Sequence, residues 1–385
     1  MAAGVIALLF GVFDKTARLE IDYINIAAFR NIQCFELYKN YTEDLVDTAK
    51  NTFLQVTHFY ALGVFLLCQF FSPTSLSDNS NTAKLTAPFS IKNLYPPMLR
   101  FYDPLPSSAL QPYRESLGIE LLQGYSSVFQ YDALPDGSLL VDMELYNLDL
   151  RMRRAFTDQT ELSLTVPLYY ANDGFMDAFL RDYHSALGLP NSGREYRPDD
   201  EFGYFYIDPG GSESWIGKEG WEVGDLAISL RHHLISDETW SMALLGGVTL
   251  PTGSTKRGWG TGKPDIAVGA VASWLANKWF GHIEGHLLHP FADGSEATDY
   301  RDYIRLSTTI GYQFGNRWSV MAQVQGGSSP YDSSLQQLDN APWLVTLGGR
   351  IALANTSALT LAFTEGITQK TTADFSLSIG LEFNL

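Results

Sequence analysis

The sequence predicts an all-β fold: a transmembrane antiparallel β-barrel of about 12 strands, with one short helix in a long outer loop. Three observations predict it, namely the pattern of the last strand, the number of similar segments, and the lengths of the connections. In the last strand, Phe375, Leu377, Ile379, Leu381 and Phe383 share one face, and small or polar residues occupy the other. Side chains alternate between the two faces of a strand. Membrane barrels turn the apolar face to lipid and the polar face to the lumen.

Similar segments recur along the chain. The candidate strands are residues 117–130, 139–153, 159–170, 222–234, 239–250, 264–274, 279–289, 302–313, 317–325, 342–353, 358–365 and 374–385. They number about 12, and bacterial single-chain barrels use even numbers of strands. Around Tyr146 the apolar phase slips, which predicts a β-bulge.

The connections between these segments alternate in length. Five are short: residues 154–158, 235–238, 275–278, 314–316 and 354–357. Longer connections of residues 131–138, 171–221, 251–263, 290–301, 326–341 and 366–373 fall between them. Outer-membrane barrels have short periplasmic turns and longer outer loops, so this alternation favours a barrel over a soluble sandwich.

The longest connection, residues 171–221, contains a candidate helix over residues 175–187. Phe175, Phe179 and Leu180 recur there at helical spacing. Long loops are usually functional or disordered, and an apolar helix face needs a partner. We therefore expect this loop to fold over or into the mouth of the barrel.

Composition excludes some functions. The 385 residues carry a formal net charge of -17 and are 45% hydrophobic, and the mean hydropathy is -0.07. Nucleic-acid binders need a basic face, so no nucleic-acid partner is expected. The 23 Phe, 20 Tyr and 8 Trp residues suit a barrel with aromatic girdles at the two membrane interfaces.

The N-terminal part differs from the rest. Residues 1–77 are predicted to be a leader with either a signal peptide cleaved after Ser77 or a membrane-spanning signal anchor, because residues 53–71 form a mostly apolar run. Residues 78–115 are predicted to be an extended, proline-rich periplasmic or lumenal segment, since prolines interrupt strand ladders. Residues 116–385 would form the barrel.

Three stretches resemble a known family. They are Pro88-Phe89-Ser90-Ile91-Lys92-Asn93-Leu94-Tyr95-Pro96, then Asp173-Gly174-Phe175-Met176-Asp177-Ala178-Phe179 continuing through His184, Gly188-Leu189-Pro190 and Gly193-Arg194, and Leu250-Pro251-Thr252-Gly253-Ser254. They are similar to a Gram-negative family described as domain of unknown function 3187. The resemblance covers about residues 88–385. It implies an outer-membrane barrel and carries over no catalytic or binding residue.

Strand alternation places several charged and histidine residues on the inner face of the predicted barrel. The predicted lumen-lining residues are Asp225, Arg231, His233, His282, Glu284, His286, Arg305, Arg350 and Glu382. Three of them, at positions 282, 284 and 286, could bind a metal, but their spacing along a strand is too wide for easy convergence. We favour a polar lumen lining there, and predict no metal and no cofactor.

The predicted function is a narrow channel or transporter for small solutes in the outer membrane of a Gram-negative bacterium. One alternative is an outer-membrane enzyme acting on lipid or lipopolysaccharide, with His232, His233 or His286 as base, although no catalytic residue is assigned. Another is a structural or surface-interaction barrel with a plugged lumen. Expected partners are outer-membrane lipids, lipopolysaccharide, and the barrel-assembly machinery through the C-terminal strand.

Overall fold

The structure is a computed structural model, and it describes most of the chain after the predicted leader. The described residues are 85–110, 117–134, 137–188, 193–194, 197–208, 214–237, 239–295, 298–354, 356–368 and 370–384. The predicted leader over residues 1–77 lies outside the described residues, as do residues 78–84 and 111–116 of the predicted proline-rich segment.

The described chain contains 17 strands. In chain order they are β1 (Leu117–Leu134), β2 (Gly137–Ala155), β3 (Thr160–Asn172), β4 (Gly203–Ile207), β5 (Trp215–Ile216), β6 (Gly220–Val223), β7 (Leu226–Ser236), β8 (Trp240–Leu250), β9 (Asp265–Ala276), β10 (Trp279–Pro290), β11 (Thr298–Tyr300), β12 (Tyr303–Phe314), β13 (Trp318–Gly327), β14 (Tyr331–Ser333), β15 (Trp343–Ala354), β16 (Ser357–Gly366) and β17 (Phe375–Asn384).

Twelve of these strands form a closed antiparallel barrel. The order around the wall is β1, β2, β3, β7, β8, β9, β10, β12, β13, β15, β16 and β17, and β17 pairs with β1 to close it. The other five strands are short additions in the long connections. Each of the 12 predicted strands is present, so the predicted fold class is confirmed. We call the end of the barrel with the short connections, such as residues 277–278 and 315–317, the short-turn end, and the opposite end the long-loop end.

The sixth and seventh strands correct one predicted boundary. The segment predicted as one strand over residues 222–234 is divided into β6 and β7 by Gly224 and Asp225. Opposite this break lies Pro167 of β3, whose carbonyl accepts a hydrogen bond from Gly224 N at 3.1 Å. Proline has no N–H to donate to the ladder, and the partner of β3 changes from β6 to β7 at this point.

The bulge predicted near Tyr146 is wrong. β2 pairs with β1 and with β3 through this region without a register shift. Leu145 faces inward and is fully buried in an apolar cluster, whereas Leu148 lies on the outer face. The phase slip in the sequence arises because the inner face is apolar near the long-loop end, where other parts of the chain cover it.

The two faces of the wall differ as the sequence predicts. In β12, exposed residues such as Ile304, Leu306 and Ile310 alternate with buried Arg305, Ser307 and Thr309. β10 behaves in the same way, with Ile283 and Leu287 exposed on the outside. A continuous outer belt of exposed aliphatic and aromatic side chains is typical of a surface that faces lipid. Within the described ranges, none of the helices has the length and hydropathy required to cross a membrane.

The proline-rich segment occupies the lumen. Residues 85–110 run from the short-turn end to the long-loop end, turn through a 3-10 helix at Pro96–Arg100, and run back. We call this segment the lumenal hairpin, its two halves the ascending leg (residues 85–95) and the descending leg (residues 101–110), and the 3-10 helix its tip. Most of its side chains are buried, and its backbone polar groups bond to inward-facing side chains of the wall.

The long connection between β3 and β7 has two parts, a helix and the short strands β4 and β5, which pack in different places. Its helix, α1 (Asp177–Leu187), begins two residues later than predicted. Tyr204, Tyr206 and Trp215 of β4 and β5 are buried in the apolar cluster at the long-loop end, together with the tip of the lumenal hairpin. This part packs at the mouth, whereas the helix, on whose apolar face the prediction rested, does not. A second short helix, α2 (Gln336–Asp339), lies in a later connection.

Candidate lumen site

The ascending leg is held by neutral side chains of β13. The amide of Gln323 makes a paired contact with Phe89, accepting from its N–H at 2.9 Å and donating to its carbonyl at 3.1 Å. Gln325 Nε2 donates to the Ile91 carbonyl at 2.9 Å. Both glutamines are buried. Two glutamine side chains therefore replace the ladder of hydrogen bonds that a neighbouring strand would supply.

Nearer the short-turn end, the same leg presents carbonyls to β13 and to two further strands, β10 and β15. Ser319 Oγ donates to the Leu85 carbonyl at 2.6 Å, and Arg350 Nη2 donates to the Pro88 carbonyl at 2.7 Å. His282 Nε2 lies 2.6 Å from the Thr86 carbonyl. An extended segment without internal pairing exposes all its backbone polar groups, and burial is tolerable only if each finds a partner. The wall supplies these partners.

The tip is enclosed by aromatic rings at the long-loop end. The guanidinium of Arg100 lies 3.9 Å from the ring centroid of Trp215, a distance at which cation–π attraction is effective. Arg100 Nε also donates to the Gly260 carbonyl at 3.4 Å, and Tyr331 Oη donates to the Pro97 carbonyl at 2.8 Å. Arg100 is buried, so a charged side chain of the lumenal hairpin is fixed among the outer connections.

The descending leg is held by carboxylates and cations of the wall. Tyr102 N donates to Asp265 at 2.7 Å, and Arg305 Nε donates to Asp103 at 3.2 Å. Ser107 donates from both its N–H and its hydroxyl to Glu284, at 2.7 and 3.0 Å. Charged partners make stronger hydrogen bonds than neutral ones, so these contacts stabilise the position of the descending leg.

Close to the short-turn end, two further wall residues receive the descending leg. Arg231 donates to the Ser108 carbonyl, and His233 Nδ1 lies 2.9 Å from the Ala109 carbonyl. Arg231 also pairs with Glu161 at 3.1 Å. The position of Arg231 and His233 on the inner face, with His232 between them on the other face, follows the predicted alternation. His232 Nδ1 lies 2.9 Å from Thr160 Oγ1.

A charge network lies between the first and last strands. Glu382 of β17 pairs with Arg153 at 2.5 Å and with Arg350 at 3.1 Å. In the same region Lys92 of the lumenal hairpin pairs with Asp149 of β2 at 2.9 Å. All five side chains are largely removed from solvent. Opposite charges compensate one another there, as burial in a narrow lumen requires.

A cavity of about 80 Å³ remains between the lumenal hairpin and the wall formed by β2, β3 and β7 to β10. Its lining includes Lys92, Arg151, Glu161, Arg231 and His286. About 10–15 Å³ of such space is enough for one water molecule, so the cavity has room for several waters. In this conformation the lumen is polar and narrow where it is not filled by the chain itself.

The nine residues predicted to line the lumen are all found at the wall or its rim. Eight lie on barrel strands and face inward, and the ninth, Asp225, lies in the break before β7 and accepts a hydrogen bond from Gly253 N at 2.7 Å. They do not form one site. His233, Glu284, Arg305 and Arg350 bind different parts of the lumenal hairpin. Their predicted role in solute passage stays a prediction.

The three-residue row in β10 is likewise not one ligand set. His286 Nε2 lies 2.6 Å from Glu284 Oε1, while His282 turns to Ser273 and to the Thr86 carbonyl. No group of three or more His, Cys, Asp or Glu residues able to hold a metal occurs among the described residues. His282 and Glu284 thus contact the lumenal hairpin, while His286 contacts Glu284.

A substitution on β8 should test the packing of the descending leg. A Cβ atom at Gly247 would lie 2.2 Å from the Tyr102 hydroxyl and within 2.7 Å of its ring, whereas at the neighbouring Gly246 the nearest atom is 4.0 Å away. We expect Gly247→Val to lower the free energy of unfolding in urea by about 1–3 kcal/mol, the usual cost of overpacking. Gly246→Val is the control and should change it little. Equal effects of the two substitutions would contradict the described packing.

Asp225 should give the protein a pH-dependent stability. Burial raises the pKa of its carboxyl from 3.8 to about 6. A raised pKa means that the folded state binds the proton more tightly, so the contribution of Asp225 is fully present below pH 4 and is lost as the pH rises through about 6. The quantity to measure is the free energy of unfolding in urea of Asp225→Asn minus that of the natural protein. We expect this difference to be about 1–2 kcal/mol larger at pH 7 than at pH 4. An equal difference at both pH values would contradict this assignment.

Comparison with solved structures finds barrels of low similarity. An outer membrane channel from Pseudomonas putida F1 is 12% identical, with 74% of this chain and 100% of that chain covered and a TM-score of 0.47. The NanC porin is 8% identical, with coverage of 69% and 100% and a TM-score of 0.41. The P. putida toluene transporter TodX is 10% identical, with coverage of 71% and 91% and a TM-score of 0.33. These values support no inference about a solute.

Comparison with curated proteins finds no match. A family model described as "Protein of unknown function (DUF3187)" matches residues 65–385. The match includes the lumenal hairpin, all 12 barrel strands and the three stretches that carry the resemblance seen in the sequence. The chain therefore belongs to the DUF3187 family.

Proposed function

We propose that this protein is an outer-membrane channel for small solutes in a Gram-negative bacterium, and that the lumenal hairpin holds it closed in the described conformation. The exposed apolar belt of the wall supports a membrane location, because a soluble protein would bury such a surface. The alternation of short turns and long connections supports the outer membrane in particular.

One observation carries the channel proposal: the lumen is filled by a segment of the same chain rather than by the side chains of the wall alone. The lumenal hairpin is joined to the barrel covalently only through residues 111–116, and its other described attachments are hydrogen bonds, ion pairs and apolar packing, such as that of Phe89 against Phe280. Each net hydrogen bond stabilises a folded arrangement by only about 0.5–1.5 kcal/mol. A displacement of the lumenal hairpin would leave a lumen lined by polar and charged side chains of both signs.

The other expected partners are part of the same proposal. Outer-membrane lipids and lipopolysaccharide would surround the apolar belt. The barrel-assembly machinery would engage β17, the strand that closes the barrel against β1. No nucleic-acid partner is proposed.

Planar-bilayer recording of the full chain tests the proposal. Folding is confirmed first by a heat-dependent gel shift, and currents are then recorded in KCl at several concentrations. Discrete steps that grow with salt concentration would support a channel. Silence from the folded natural protein and also from a variant with a loosened lumenal hairpin would contradict it, and would favour a structural barrel with a permanently plugged lumen.

A further inference from the structure

Helix α1 lies against the outside of the barrel wall, not over its mouth. The side chain of Glu144 of β2 points to the outer face of the wall, because its neighbours Met143 and Leu145 are buried in the inner apolar cluster. Glu144 nevertheless is only 2% exposed. The segment leading into α1 covers it, because Phe175 N and Met176 N both donate to Glu144 Oε1, at 2.8 and 2.5 Å.

A second contact fixes the following part of the connection to the same outer surface. Arg194 pairs with Asp177, the first residue of α1, and with Asp374 just before β17, at 2.6 Å. Arg194 Nη2 also lies 3.4 Å from the Ser127 hydroxyl of β1. Arg194 is buried. The helix is thus held from both sides over β1, β2 and the start of β17.

Exposed aromatic rings lie on α1 and just before it. Phe179 of α1 is 46% exposed, and Phe175, two residues before the helix begins, is 59% exposed. Phe175 lies beside Tyr125 of β1, with ring centroids 6.2 Å apart. Within α1, Phe179 stacks on Tyr183 four residues later, with ring centroids 6.2 Å apart, so the helix presents an aromatic pair on one surface.

Further aromatic side chains lie on the neighbouring strands of the wall. Tyr170 and Trp221, on the neighbouring β3 and β6, are both exposed and have ring centroids 5.3 Å apart, and Tyr146 of β2 lies 6.1 Å from Trp221. Tyr170 lies near the long-loop end of β3, and Tyr146 is paired with it at the same level of the wall. Aromatic residues at that level mark the membrane interface of a barrel, and an amphipathic helix there lies in the interface plane.

We infer that α1 is an interfacial helix, and that Phe179 on it and Phe175 just before it enter the lipid of the outer leaflet. The inference rests on the proposed membrane location and adds a lipid contact that is made by a loop helix outside the strands. The occupant is lipid because Phe175 lies beside Tyr125, whose partner across the strand pair, Tyr146, belongs to the lipid-facing belt. Arg181, on the same helix, forms an ion pair with Asp199.

Spin-label accessibility tests this inference. In the full chain carrying Cys34→Ser and Cys68→Ser, a nitroxide is attached at Phe179→Cys, at Ile283→Cys in the outer belt, or at Lys218→Cys in an exposed connection. The protein is reconstituted in phosphatidylethanolamine–phosphatidylglycerol vesicles, and collision with oxygen is compared with collision with a water-soluble nickel chelate. A heat-dependent gel shift confirms folding of each variant.

We expect the ratio of oxygen to nickel accessibility to be similar for the labels at positions 179 and 283. Both ratios should be several-fold higher than the ratio at position 218. A label at 179 that resembles the one at 218, while 283 reports lipid, would overturn the inference and leave the membrane barrel intact. Water-like labels at both 179 and 283 would overturn the proposed membrane location as well.

Discussion

The Gln323→Ala/Gln325→Ala variant is expected to open far more often than the natural protein in planar-bilayer recordings. The double substitution removes three hydrogen bonds that hold the ascending leg. At about 1 kcal/mol each, their loss should favour the open state by about 3 kcal/mol, which is roughly a 100-fold change in the ratio of open to closed time. The measurement is the open probability at fixed voltage.

A matched control is available on the next strand. Gln313 of β12 also faces inward and is buried, but its amide donates at 2.9 Å to the Gly315 carbonyl in a turn. Gln313→Ala should therefore leave the open probability unchanged. If both variants behaved alike, the glutamines of β13 would not be what keeps the lumen closed.

The largest loss of stability is expected from Glu382→Leu. This change leaves Arg153 and Arg350, both largely buried, without the carboxylate that each contacts. Removing one partner of a buried ion pair typically costs about 3–5 kcal/mol, because the remaining charge is buried without compensation. We expect a decrease of that size in the free energy of unfolding, measured by urea titration in lipid vesicles.

Glu201→Leu is the control for this prediction. Glu201 pairs with Arg197 at 3.0 Å, but its side chain is 46% exposed. Exposed ion pairs contribute about 0–1 kcal/mol, so this variant should unfold nearly as the natural protein does. Losses of similar size from the two substitutions would mean that the Glu382 network is hydrated.

The wall of the barrel was predictable because its signal is local. Each strand repeats with period 2, and one face must meet lipid, so the pattern of residues such as Ile304 and Leu306 is visible without knowledge of any neighbour. The short connections add a second local signal. Where the pattern failed, at Leu145, the inner face is covered by distant parts of the chain.

The lumenal hairpin could not be predicted in the same way. Residues 85–110 have no strand periodicity, and sequence analysis left open whether they are periplasmic or lumenal. Their burial depends on partners far away in sequence, such as Gln323 for Phe89 and Asp149 for Lys92. For the same reason, strand spacing could not show that His282 contacts Thr86 and that Glu284 contacts Ser107 of the hairpin.

The tip of the lumenal hairpin has a consequence for communication through the protein. Both legs emerge at the short-turn end, while Arg100 is held at the opposite end by Trp215 and the Gly260 carbonyl. A ligand that changed these tip contacts would change the free energy of the whole segment, and by thermodynamic reciprocity a partner on the far side would change affinity at the tip. One continuous segment, separate from the wall, thus contacts both ends of the barrel.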